Sequence, residues 1–130
     1  MVKILMCPFF ELRIYQVFPG KMDEWVTFMD NEVIPFQTKK GMCIHGTFVL
    51  NSSDQFSLKD GKRMMNSSVN GNTYVWIRKF DSKKDKEKLY SAVYESKEWL
   101  NTFRPKVMRL IDINSILVHN LSATELSKIK

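Results

Sequence analysis

Cysteine is scarce in this sequence: only Cys7 and Cys43 occur, in segments that read as the approach to one strand and the interior of another. Two such residues make no disulfide framework, and a reducing, cytoplasmic setting is the expectation. Histidine is equally sparse. His45 and His119 fall on strands expected at opposite edges of a sheet, and Cys43 beside His45 supplies one soft ligand where zinc takes three or four. No metal is expected. The five glycines form neither a phosphate loop nor a dinucleotide fingerprint, and no Ser, His and Asp arrangement is present. Neither haem nor flavin is therefore expected, and no cofactor is assigned. Long apolar runs are missing too: nothing approaches ~18 uninterrupted apolar residues, so no transmembrane segment is expected and the protein reads as soluble. The opening MVKILMCPFF lacks a small-residue cleavage site and reads as a lead-in to the first strand.

What is present is an ordinary globular balance, 44% hydrophobic and 26% charged over 130 residues, enough for one domain without staples. The formal net charge of +6 raises the question of an anionic partner. Lys83, Lys84, Lys86 and Lys88 are spread around one expected helix and interrupted by Asp85 and Glu87. That is a solvated helix, not a nucleic-acid face, which would cluster its charge and offer stacking aromatics. No nucleic acid is expected as a partner.

The segment from Phe9 to Gly41 sets the architecture. Phe10, Leu12 and Ile14 alternate with Glu11, Arg13 and Tyr15 along a strand, so one face is aliphatic and the other polar and aromatic. After Pro19-Gly20, Met22, Trp25, Val26, Met29, Val33 and Phe36 recur at helical spacing. The helix is expected from Lys21 to Lys40, ending at Gly41, with a kink or a break near Asn31 to Ile34 imposed by Pro35. Met42 to Leu50 reads as a strand in which Gly46 marks a bulge or the close approach of another group. Residues 51–72 read as an inserted arm, a β-hairpin turning at Asp60-Gly61. Thr73 to Phe80 is a strand, and Ser82 with Asp85 caps a helix to about Tyr94. Ser96 to Phe103 forms a short helical piece, Pro105 opens one more turn, and Ile113 to His119 is the last strand. Residues 1–120 make one domain and residues 121–130 a polar tail.

Strand, helix, strand, strand, helix, strand is the split βαβ order of an α+β ferredoxin-like sandwich with a four-stranded antiparallel sheet. The first and third strands should be central antiparallel neighbours, with Glu11 opposite Arg78, Arg13 opposite Trp76 and Tyr15 opposite Tyr74, a register that matches acid with base at one end and stacks the Arg13 guanidinium on the Trp76 indole in the middle. All four strands are apolar or aromatic on both faces, and helices cover one face only. A second copy covering the other gives a homodimeric α+β barrel.

Three stretches carry a resemblance: FELRIYQVFPGKMDEW, then NTYVWIRKFDSKKDKEKLYSAVYESKEW, then RPKVMRLID before the last strand. Together they resemble the NIPSNAP family of dimeric α+β barrel proteins over nearly the whole chain, apart from the ends and the 51–72 insertion. The resemblance implies the fold, a dimer and a soluble protein. It carries over no catalytic residues.

Glu11, Arg13, Tyr15, His45, Tyr74, Trp76 and Arg78 are expected on the face turned away from the helices, lining the barrel interior. So many polar groups are costly to bury unless they pair or meet a ligand. The preferred reading is a closed network fixing the dimer of an interaction module; the alternative is a small-molecule site, such as that of a cofactor-free monooxygenase or isomerase, an analogy resting on fold.

Overall fold

The computed structural model describes residues 8–50, 55–65 and 72–130. Cys7, the N-terminal lead-in and the two roots of the inserted arm lie outside the described residues.

Strand β1 (Phe9–Gln16) leads into α1 (Met22–Phe28), a π-helical turn (Met29–Val33) and α2 (Ile34–Lys39). The widened turn has a local cause. Pro35 has no N–H, and in a regular α-helix its ring would clash with the carbonyl four residues earlier, that of Asn31, which lies inside the π turn. The same device recurs: the π turn Trp99–Phe103 contains Asn101, four residues before Pro105 at the start of α4 (Arg104–Leu110). Helix α2 ends in a Schellman motif. Gly41 takes φ 109°, its N–H bonds the Thr38 carbonyl at 3.0 Å, and the Met42 N–H bonds the Gln37 carbonyl at 2.9 Å.

Strand β2 (Cys43–Val49) carries the expected bulge between Ile44 and Gly46. Then come β3 (Phe56–Lys59), β4 (Lys62–Met65), β5 (Thr73–Phe80), α3 (Lys83–Tyr94) and, after α4, β6 (Leu117–Leu121). Asp60 and Gly61 both adopt positive φ, as a two-residue turn between β3 and β4 requires. Ser82 caps α3 by accepting from the Asp85 N–H at 3.0 Å. The last strand starts later than its sequence pattern indicates. The Asp112 side chain accepts from the Asn114 N–H and holds Ile113–Ser115 in a 3₁₀ turn, so pairing begins only at Leu117.

The four-stranded antiparallel sheet has the order β2-β5-β1-β6, and β3-β4 form a separate two-stranded ribbon. The β1–β5 register is the expected one, with Glu11 opposite Arg78, Arg13 opposite Trp76 and Tyr15 opposite Tyr74. Helices cover one face only, but not the face expected. Tyr15, Tyr74 and Trp76 pack with Trp25, Phe28 and Met29 of the helical layer. The covered face is therefore the polar-aromatic one. Aromatic side chains bury about 150–250 Å² each, and their burial outweighs the cost of charges that can pair. The aliphatic face is left open: Leu12 and Ile14 pair with Ile77 and Val75, flanked by Phe48 and Leu117, each 54% exposed.

Candidate functional site

Strand alternation puts Glu11, Arg13 and Tyr15 of β1 and Tyr74, Trp76 and Arg78 of β5 under the helices. His45 does not join them. It sits on the exposed bulge of β2, against Phe10 on the opposite face. Six of the seven residues singled out in the sequence thus share one site, and that site is the sheet–helix interface and not the uncovered face.

At its centre Glu11 is fully buried and bonded at both oxygens. Its Oε1 accepts from Arg13 Nε at 2.8 Å and Arg78 Nη2 at 2.6 Å, and its Oε2 pairs with Lys86 Nζ at 2.7 Å and accepts from the Tyr90 hydroxyl. Burial by itself would raise the carboxyl, but the charges of Arg78 and Arg13 and the hydrogen bonds from Lys86 and Tyr90 prevail and lower it to about 2. The Tyr90 phenol is pushed up to about 12 by burial and by Glu11, against the pull of Arg13 and Arg78. Burial likewise raises Tyr15 and Tyr74. Arg78 lies over Trp76 at 4.6 Å, whereas Arg13 lies over Tyr90 and Tyr94. The stacking of Arg13 on Trp76 that their pairing invites is therefore replaced. Arg13 instead turns toward the hydroxyls of Tyr15 and Tyr90, at 3.0 and 2.8 Å.

Beside this network is a cavity of about 170 Å³ between sheet and helices, lined in part by Arg13, Tyr15, Trp25, Gln37, Trp76 and Tyr94. Gln37 is completely buried, and its amide orientation is determined by chemistry. Arg78 Nη1 donates to Gln37 Oε1 at 2.8 Å, and because a guanidinium only donates, the oxygen must face it. The Nε2 group is then left without a partner among the described residues, as are the indole N–H groups of Trp25 and Trp76. Trp25 and Trp76 are 1% and 2% exposed, so bulk water does not serve them. These three orphaned donors belong to side chains lining this cavity, whereas the fourth buried polar atom without a partner among the described residues, the Tyr74 hydroxyl, does not line it.

Sequence reasoning missed Gln37, Lys86, Tyr90 and Tyr94. A signal existed for each. Trp25, Met29 and Val33 are buried at four-residue steps, and the next step is Gln37, a polar residue on an apolar stripe. Lys86, Tyr90 and Tyr94 share a face of α3 by the same spacing. Among the described residues no cluster of three or more His, Cys, Asp or Glu is arranged to hold a metal.

The arrangement defines a class of protein first: a ferredoxin-like α+β sandwich with a donor-rich cavity between its layers. The NIPSNAP fold follows from comparison with solved structures. The chain is similar to a NIPSNAP family protein of Agrobacterium tumefaciens at 23% identity and TM-score 0.69, covering 93% of this chain and 90% of that one. A second from the same organism, a NIPSNAP family protein with unknown function, matches at 19% identity and TM-score 0.74, covering 96% of both. An uncharacterized NIPSNAP-like domain protein from Burkholderia xenovorans matches at 16% identity and TM-score 0.72, over 94% of this chain and 90% of that one. No protein-family model and no curated protein matches the sequence. Among the described residues no helix is long and apolar enough to cross a membrane.

Proposed function

We propose that this chain is a NIPSNAP-like protein that acts as a homodimer and holds a small molecule in the cavity between sheet and helices. One observation carries the reading: three buried N–H donors without partners, from Trp25, Gln37 and Trp76, all belong to side chains lining that cavity. An unsatisfied buried polar group costs about 1–3 kcal/mol, and one small guest with acceptor atoms relieves several such costs together. At about 170 Å³ the space suits a few waters or a compact organic molecule.

The Glu11 centre favours a second role for its own residues. With both oxygens saturated it holds β1, β5 and α3 in register, which supports the interaction-module reading for that part of the network. Proton transfer has less support. No carboxylate or imidazole is among the residues lining the cavity, and burial holds the Tyr15 phenol above its ordinary range. Binding is therefore better supported than the isomerase or monooxygenase chemistry that fold analogy brings to mind.

The test is a nitrogen-15 spectrum of the protein titrated with a panel of neutral and anionic molecules of up to about ten non-hydrogen atoms. At least one should shift both the Trp25 and Trp76 indole signals, and Met108→Trp, which enlarges a cavity-lining side chain, should suppress the shift. A panel that leaves both signals in place would refute the binding role.

A further inference from the structure

We infer that the ligand of this cavity is a monocyclic aromatic carboxylate. The inference rests on the binding role proposed above and goes on to the chemistry of the guest. Charge comes first. Arg13 and Arg104 line the cavity, and among the described residues no Asp or Glu does. Nearby, three cations, Arg13, Arg78 and Lys86, share the single carboxylate of Glu11. The site is short of negative charge, and the mostly buried guanidinium groups of Arg13 and Arg78 share one counter-ion between them.

Hydrogen-bond polarity points the same way. The orphaned groups of Trp25, Gln37 and Trp76 are all donors, so the guest must bring acceptors. Arg13 adds to them: among the described residues Glu11, Tyr15 and Tyr90 occupy three of its N–H groups, and a guanidinium has five, which leaves two. A carboxylate offers two oxygens and about four lone-pair sites to such a set.

Wall and volume then set the body of the molecule. Tyr15, Trp25, Trp76, Tyr94 and Trp99 give flat aromatic walls, which favour offset or edge contacts with another ring. A cavity of about 150 Å³ holds a benzene ring. This one, at about 170 Å³, has room for a ring and little more than its carboxylate.

The experiment uses the full chain and three probes: sodium benzoate, benzamide as its neutral isostere, and sodium acetate as the anion without a ring. Calorimetry gives the dissociation constants, and the two indole signals locate the site. Benzoate should bind at least tenfold more tightly than either other probe and shift both signals. Gln37→Glu puts an acceptor in place of the free amide donor beside Arg78, so benzoate affinity should drop at least tenfold while the protein stays folded. Arg104→Gln, at an exposed position, should weaken benzoate severalfold and leave benzamide unaffected. Benzamide binding as tightly as benzoate, or acetate doing so, overturns the aromatic carboxylate and leaves the cavity's binding role standing. If none of the probes, and none of the wider neutral and anionic panel, moves either indole signal, the binding role falls and this inference with it.

Discussion

Glu11 is the residue on which the site's energetics turn. Its folded carboxyl titrates near 2 against an ordinary 4.5, so it contributes stability that is complete above about pH 4.5 and is lost as pH falls toward 2. The shift corresponds to about 3 kcal/mol. Equilibrium urea unfolding between pH 7 and pH 2 should show this acid limb, and Glu11→Gln should flatten it while lowering stability at pH 7, because three cations lose their partner. Among the arginines, Arg78 is 1% exposed and bonds Glu11, Gln37 and Tyr94, whereas Arg13 keeps some contact with solvent. Removing one member of a buried pair costs about 3–5 kcal/mol. The urea midpoint should therefore fall most for Arg78→Ala, less for Arg13→Ala and hardly at all for Lys83→Ala; equal losses at the two arginines would contradict the burial argument. The residue pairs themselves were legible in the sequence, since strand alternation and one acid-base match set Glu11 opposite Arg78. Which side they face was not. A rule that sends charges outward fails where a carboxylate and guanidinium satisfy each other beneath aromatic rings.

Among elements, those with a strong local cause were read well. Pro35, Gly41, Gly46, Asp60-Gly61 and the Ser82 cap each dictate backbone geometry within a few residues, and each feature lies where its residue requires. The start of β6 lies later than the apolar residues suggest because Ile113 and Ile116 extend the apolar pattern backward, while Asp112, Asn114 and Ser115 between and before them form a turn held by a side-chain hydrogen bond that periodicity does not register. The β3–β4 ribbon within the 51–72 arm is expected to be dispensable for folding. Among the described residues the β3–β4 ribbon pairs only with itself, and Phe56, Leu58, Met64 and Met65 are all exposed. A lone hairpin contributes little, and closing a longer loop costs only about 0.6 kcal/mol per doubling. Replacing residues 52–70 by an Asn-Gly turn should leave the melting temperature within a few degrees of the parent by calorimetry. A large drop, or a changed oligomeric state, would make the ribbon part of an interface. Asn72 is kept in this design because its carbonyl accepts from the Val17 N–H at 2.7 Å.

For the whole molecule, the open aliphatic face is the feature that calls for a second copy. Leu12, Ile14, Val75 and Ile77 form a contiguous strip with Phe48 and Leu117 beside it, larger than a scattering of surface hydrophobes. Light scattering after size exclusion should give a dimer at micromolar concentration, and Ile14→Lys should shift it to monomer without disturbing the Trp25 and Trp76 indole signals. A monomeric parent protein would remove the barrel reading. The two faces of β1 and β5 also bear on how the chain finds its pairing. With β5 held against the helices, a slip of one residue in the β1–β5 register would turn Glu11 away from Arg78 onto the open face and press Leu12 against the helices, undoing the covered core and the open strip together. Near-native mispairings are thus penalised from both sides of the same sheet, and the sequence that builds the cavity also proofreads its own folding.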